Sequence, residues 1–152
     1  MTKSKRKIKR RPGTAETADR LHSAAIHLLR LVRREDSASG EGPARLSALS
    51  VLVFGGPRAL GELAAAEQVK PPTMTRIVAG LERSGLVRRV VDRADTRKCR
   101  IHATAKGTKL LQAARKRRID HLARGLSELD QSDLRVLDQA AEILNDLLNK
   151  WA

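Results

Sequence analysis

The sequence is poor in several kinds of residue, and each shortage excludes a class of protein. Its single cysteine cannot form an intramolecular disulfide, which fits a reducing compartment. The longest run without a charged residue, residues 46–57, is too short to cross a bilayer. The basic N-terminus is not followed by the apolar stretch of a signal peptide. We therefore predict a cytoplasmic protein that has no membrane partner.

Patterns typical of catalysis and of metal binding are missing as well. The sequence contains no glycine-rich phosphate loop, no nucleophile elbow and no pair of carboxylates placed for acid–base chemistry. His22 and His27 have a spacing that does not place two metal ligands on one face of a helix, and Cys99 stands alone in a predicted strand. We predict that the protein is not an enzyme and that it needs no metal or other cofactor.

Positive charge is what the sequence has in excess. It contains 31 lysine and arginine residues against 17 acidic residues, which gives a net charge of +14. Seven of the basic residues lie within residues 1–11, so the remainder of the chain is basic in its own right. This excess favours a polyanionic partner but does not separate DNA from RNA or acidic lipid. Residues 1–13 are predicted to form a basic flexible tail, either a solvated leader or an arm that contacts phosphate.

Hydrophobic periodicity predicts a mainly α-helical chain with one small β-hairpin. The helices are predicted to begin near residues 14, 43, 59, 71, 106 and 130, and the strands to cover residues 86–91 and 98–103. Thr14 and Asp130 are the predicted caps of the first and last helices, and Pro43 opens the second. Residues 35–42 are predicted to be a loop. One domain accounts for this order of elements.

Both terminal helices carry a stripe of apolar residues at alternating three- and four-residue steps. In the first helix the stripe contains Ala18, Leu21, Ala25, Leu28 and Val32. In the last helix it contains Leu134, Leu137, Ala141, Leu144, Leu148 and Trp151. Because a single domain of this size would leave such stripes exposed, they predict a homodimer.

The fourth predicted helix has the two faces of a DNA recognition helix. The face that is expected to pack on the third helix contains Met74, Ile77, Val78 and Leu81. The opposite face contains Pro72, Arg76, Ala79 and Arg83, flanked by Thr73 and Thr75. Small residues allow this face to enter the major groove, where Arg76 can donate two hydrogen bonds to a guanine edge. Hydroxyls and backbone N–H groups at the helix start can meet phosphate. Alternatively, the arginines are ordinary solvated charges.

The turn between the two predicted strands is polar and basic. Arg93 and Arg97 lie on either side of Asp95. A two-stranded ribbon can place an arginine in the minor groove, and Asp95 can pair with an arginine to set the shape of the tip. Two short helices followed by such a hairpin are typical of a winged helix-turn-helix.

These segments resemble the MarR (multiple antibiotic resistance regulator) family. The residues that carry the resemblance are 59–64, 72–78, 81–87, 92–97 and 103–107, and the similarity in helix order extends from Thr14 to Trp151. The Asp-x-Arg pattern at Asp95 and Arg97 is its most specific part. Lys70 departs from the family pattern, since many relatives have a hydroxyl cap there.

The resemblance implies a dimeric repressor or activator of palindromic DNA, with the first and last helices in the dimer interface. Residues 14–152 are then one domain, with a winged helix-turn-helix lobe over about residues 43–105 and dimerisation helices over about 14–35 and 106–151. It assigns Thr75 and Arg76 to the recognition helix and Asp95 and Arg97 to the wing. A small-molecule effector is a further expectation from the family, and the shortage of aromatic residues disfavours an aromatic one.

We therefore expect a homodimer that binds double-stranded DNA at an inverted repeat, with its two recognition helices in successive major grooves about 34 Å apart. Repression would follow from exclusion of polymerase. Two alternatives remain at this point: an architectural nucleic-acid-binding protein that is indifferent to sequence, and an enzyme of unknown type. The architectural protein would bind any duplex with similar affinity, whereas our interpretation predicts a preferred DNA site. The enzyme would need a cleft that contains titratable groups with perturbed pKa values.

Overall fold

A computed structural model describes residues 13–91 and 99–151. The elements in chain order are α1 (Thr14–Arg33), a 3-10 helix (Arg34–Ser39), α2 (Pro43–Gly55), α3 (Leu60–Ala66), α4 (Pro71–Arg83), β1 (Val87–Val91), β2 (Cys99–Ala103), α5 (Ala105–Leu126) and α6 (Gln131–Trp151). The predicted fold class, mainly helical with a hairpin wing, is confirmed. The tail up to residue 12 and the wing tip at residues 92–98 lie outside the described residues.

The segment after α1 is the main departure from the predicted elements. Residues 34–39 form a 3-10 helix that is capped by Gly40, where φ is 74°, although residues 35–42 were predicted to be a loop. The hydroxyls of Ser37 and Ser39 donate to the carbonyls of Arg34 and Asp36, at 2.9 and 2.6 Å. Such local side-chain bonds to the backbone stabilise a short turn that hydrophobic periodicity does not predict.

Caps predicted for the terminal helices have different outcomes. Asp130 is confirmed: its Oδ1 accepts from the N–H groups of Ser132 and Asp133, at 2.9 and 2.8 Å. The hydrogen bond from the Asp133 N–H, followed by that from the Ser132 hydroxyl, holds the pKa of Asp130 below its ordinary value of 3.8. The prediction for Thr14 is wrong by one residue, since Gly13 is the N-cap and makes no side-chain bond there.

The hydrophobic core lies where α2, α3 and α4 meet the hairpin and the first half of α5. Its largest fully buried side chains are Leu49, Leu63, Met74, Val78, Leu81, Leu86, Ile101 and Leu111. The strands pair antiparallel, with Val87 opposite Ala103 and Val91 opposite Cys99. A bridge extends this small sheet, because the N–H and carbonyl of Arg58 pair with Ile101 at 3.2 and 2.8 Å.

A close contact joins α5 to this core. The hydroxyl oxygen of Thr104 caps α5 by accepting from the Gly107 N–H at 3.0 Å, and the Thr104 N–H donates to the Leu86 carbonyl at 2.9 Å. A Cβ atom on Gly107 would lie 2.1 Å from the Leu86 oxygen. Glycine is therefore what allows the first turn of α5 to lie against the backbone that enters β1.

The terminal helices leave apolar surface open to solvent. No residue of α1 or α6 is buried in the described protomer. Their exposed large apolar side chains are Leu21, Ile26, Leu28, Leu29, Leu31, Val136, Leu137, Ile143, Leu147, Leu148 and Trp151. None of the helices over residues 13–91 and 99–151 has both the length and the hydropathy that a bilayer-spanning segment requires.

Candidate nucleic-acid interface

The helix α4 presents the predicted outward face to solvent. Met74, Val78 and Leu81 are fully buried on its inner side, while Ile77 is half-buried. On the outer side, the exposed residues are Pro72, Thr73, Thr75, Arg76 and Arg83, and Ala79 is partly exposed. The sequence-predicted residues of α4 are thus brought together in one strip of surface, which we call the α4 ridge.

Few backbone donors remain free at the start of α4. Pro71 and Pro72 have no N–H, and the Thr73 N–H donates to the Lys70 carbonyl at 2.9 Å. Lys70 is the N-cap and makes no side-chain capping bond. Any phosphate contact at this helix end therefore depends on side chains, and not on the backbone N–H groups that the sequence suggested.

The two threonines of the α4 ridge are not equivalent. The Thr75 hydroxyl donates its proton to the Pro71 carbonyl at 3.0 Å, one helical turn back. In this rotamer it can only accept a hydrogen bond, so it cannot donate to a phosphate oxygen. Thr73, which is also exposed, is the better placed of the two for that role.

Ion pairs hold the hairpin against the helices on both sides. The Arg89 Nε of β1 lies 3.2 and 3.1 Å from the two carboxylate oxygens of Glu82 near the end of α4. The Arg100 Nη1 of β2 lies 3.8 Å from Glu62 of α3 and donates to the Pro57 carbonyl at 3.4 Å. The main anchor of the hairpin is burial of Leu86, Val87 and Ile101 in the core, and these exposed ion pairs add only modestly to it. The predicted wing residues Arg93, Asp95 and Arg97 lie outside the described residues.

A basic side chain that sequence reasoning did not single out borders the α4 ridge. Arg45, in the first turn of α2, shares with Arg76 a shallow cavity of about 530 Å³. Residues 42–44 and Ile77 complete its lining. Charge alone could not identify Arg45 as a residue of this surface, because the chain has 31 lysine and arginine residues. Hydrophobic periodicity does not predict which of them lie close together in the fold.

A second cavity, of about 310 Å³, lies among α1, α2 and α5. Apolar side chains line it together with Arg33, Asp36, Arg115 and Arg118. Asp36 is buried, with 4% of its surface exposed, and its Oδ1 lies 3.2 Å from the Arg118 Nε. These two atoms do not meet hydrogen-bond geometry, so charge rather than a hydrogen bond holds the pair. Beside it, the His121 Nδ1 lies 3.0 Å from a Glu35 oxygen.

No metal centre accompanies these cavities in the described ranges. Across residues 13–91 and 99–151, no three His, Cys, Asp or Glu side chains gather closely enough to hold an ion. Cys99 is a free, half-buried thiol in β2.

Three helices followed by a fixed hairpin, with a basic ridge on the last of those helices, define a winged helix-turn-helix protein. Comparison with known proteins agrees. The MarR family profile matches residues 43–99. An HTH-type transcriptional regulator of Mycobacterium tuberculosis (strain CDC 1551 / Oshkosh) is 34% identical over 136 residues, which are 90% of this chain and 95% of that protein.

Solved structures show the same fold. A MarR family protein from Bacillus stearothermophilus is 26% identical, with a TM-score of 0.77 over 89% of this chain and 94% of its own. A transcriptional regulator from Thermotoga maritima has a TM-score of 0.75 over 89% of this chain and 96% of its own, and at 24% identity it supports the fold alone. The chain belongs to the MarR family and is a DNA-binding transcriptional regulator of that family.

Proposed function

We propose that the protein is a homodimeric repressor that binds an inverted-repeat operator through its two α4 ridges. The observation that carries this proposal is the α4 ridge itself, whose exposed Arg76 and Arg83 stand opposite a fully buried apolar face. A helix anchored in this way can enter the major groove without disturbing the core. Arg76 is the proposed base reader, Arg83 and Thr73 are proposed phosphate contacts, and Arg93 and Arg97 are proposed minor-groove contacts.

Dimerisation is proposed from the terminal helices. The exposed fractions of Leu28, Ile143, Leu148 and Trp151 are 50%, 65%, 56% and 74% in the single protomer. Full burial of one such side chain stabilises by about 1.5–3 kcal/mol, so covering the whole set on two copies would provide a large driving force. A second copy of the same chain is the proposed cover, because a two-fold interface buries the same apolar patch on both copies.

Symmetry of the dimer determines the kind of DNA site. Two α4 ridges related by a two-fold axis match two half-sites about 34 Å apart, one helical turn of DNA. A dimer bound across a promoter would exclude polymerase, which is the proposed mechanism of repression. The basic tail over residues 1–13 would add affinity for any duplex.

An effector site is proposed in the cavity among α1, α2 and α5. This cavity lies between a helix of the proposed dimer interface and a helix of the DNA-binding lobe, so an occupant could alter the spacing of the two α4 ridges. Three arginines and one aspartate line it, which favours an anionic ligand. Phe54 is the one aromatic side chain in this lining.

Selection of bound sequences from random duplex DNA tests the proposal. Recovery of a two-fold symmetric site with half-sites about one helical turn apart would support it. Equal enrichment of all duplexes would favour the architectural nucleic-acid-binding alternative instead. Sedimentation of the free protein at micromolar concentration supplies the second measurement, and a monomeric mass there would contradict the dimer.

A further inference from the structure

The guanidinium group of Arg45 lies flat against the backbone of α4. A Cβ atom on Gly80 would lie 2.6 Å from each of three Arg45 atoms, Nε, Cζ and Nη2. Gly80 is buried in the last turn of α4, and glycine is a poor helix former. The close approach of Arg45 explains why this helix position has no side chain.

A hidden carboxylate holds Arg45 in this position. The Arg45 Nη1 donates to the Glu41 Oε2 at 2.9 Å, and only 9% of the Glu41 side chain is exposed. Burial pushes the pKa of Glu41 upward, but hydrogen bonds from Arg45 and Ser84 and the charges of Arg45 and Lys106 outweigh burial and lower the pKa. Glu41 is therefore ionised near neutral pH, and its negative charge is paired with Arg45.

The Arg45 side chain as a whole remains partly exposed to solvent beside the ridge. It is 38% exposed, and with Arg76 it borders the cavity of about 530 Å³ between the first turn of α2 and α4. Among the residues that the structure describes, those that line this cavity include no acidic side chain. Glu41 accepts from one of the five N–H donors of the guanidinium, which leaves donors for an anion next to α4.

We propose that Arg45 is a further DNA-contacting residue, which binds a backbone phosphate at the edge of the major groove that α4 enters. Glu41 and Gly80 are its positioning residues. This inference rests on the proposed function, since it needs α4 in the groove. Because Arg45 is already packed and paired, it loses little conformational freedom on binding, and its planar group can donate two hydrogen bonds to one phosphate.

The salt dependence of DNA affinity tests this role. The full-length protein is titrated with the duplex recovered by selection, at several KCl concentrations. Each phosphate contact contributes about 0.9 to the slope of log Kd against log salt. We expect Arg45→Ala to reduce the slope by about 0.9 per protomer and to weaken binding by roughly tenfold at low salt. Arg20→Ala is the matched control, because Arg20 also pairs with a glutamate one turn back, at 3.8 Å, but on α1.

A second variant distinguishes loss of the Arg45 contact with DNA from a general loss of folding. Gly80→Ala keeps every charge and improves helix propensity, but its methyl group displaces the Arg45 guanidinium. We expect the same reduction in slope as for Arg45→Ala, and no further reduction in the double variant. Thermal melts would confirm that the variants are folded.

An unchanged slope in Arg45→Ala would overturn the inference, whatever the change in affinity. Weaker binding at an unchanged slope is the result that a purely structural role of Arg45 predicts. Failure of the proposed function has a different signature, because the wild-type protein would then enrich no two-fold symmetric duplex over the others.

Discussion

Replacement of Gly107 by alanine is the perturbation whose effect on stability follows most directly from the structure. The added Cβ atom would lie 2.1 Å from the Leu86 carbonyl oxygen, 3.0 Å from the Leu86 carbonyl carbon and 3.2 Å from the Leu49 Cδ1. Two of these three atoms belong to the Leu86 backbone, so rotation of a side chain cannot relieve the two shortest contacts. The first turn of α5 must shift by about an ångström, which also strains the Thr104 hydrogen bond to Leu86.

The expected cost can be estimated from its parts. Overpacking of a tight site costs about 1–3 kcal/mol, and the strained hydrogen bond adds about 1 kcal/mol. The gain in helix propensity from glycine to alanine offsets up to about 1 kcal/mol near the helix start. We expect Gly107→Ala to lower the free energy of unfolding by about 2 kcal/mol, and Tm by roughly 4–8 °C for a chain of this size.

Thermal and urea unfolding, monitored by circular dichroism at fixed protein concentration, measure this effect. The concentration must be fixed because Tm of a dimer depends on it. Gly125→Ala is the control in the same helix, since a Cβ atom at Gly125 would have no atom of the described residues within 4 Å. It should be neutral or stabilising by up to about 1 kcal/mol. If Gly107→Ala were as stable as the wild type, the close packing of α5 on Leu86 would be refuted.

Three further predictions concern DNA recognition, dimerisation and pH. Arg76→Ala should weaken the binding free energy for the selected duplex by about 1–3 kcal/mol and relax the preference at one base pair, which competition among single-base variants of the duplex measures. Uniform weakening on all duplexes would instead assign Arg76 to phosphate binding. Leu148→Glu, at an α6 position that is 56% exposed, should shift the sedimenting mass towards that of a monomer, whereas the surface control Asp138→Asn should not; a dimeric Leu148→Glu protein would contradict the proposed interface. Glu41 has a pKa below its ordinary value of 4.5, so its stabilisation is present above that pH and is lost as the pH falls through the folded pKa. The urea midpoints of the wild type and Glu41→Gln should therefore differ at pH 7 and converge at low pH. An equal difference at both pH values would show that ionisation of Glu41 does not contribute to stability.

Local signals in the sequence explain why several boundaries were predicted to the residue. The helices α2 and α4 begin at Pro43 and Pro71, as predicted, because proline suits the first helical position and cannot continue a helix from before it. Asp130 caps α6 through bonds to residues two and three positions ahead. The buried Met74, Val78 and Leu81 follow from helical spacing alone. Interactions of this kind involve neighbours in the chain.

Contacts between distant residues were not predictable in the same way. The apolar surface of α6 is wider than the predicted stripe, since Val136 and Ile143 are 62% and 65% exposed beside it. The bridge from Arg58 to Ile101 joins backbone groups 43 positions apart, and neither residue type signals it. The Thr75 hydroxyl donates its hydrogen bond to the Pro71 carbonyl, and this bond depends on the rotamer of the Thr75 side chain.

The amino-acid sequence by itself determined the order of the elements, the two faces of α4 and the basic character of the chain. Each of these follows from spacing, capping or charge, which act over a few residues or need only a count. Only the tertiary structure decided that Arg45 lies over Gly80, that Glu41 is hidden behind it, and that Gly107 touches Leu86. These contacts depend on how closely separate helices approach one another, and close packing sets that distance through side-chain shapes from the whole core.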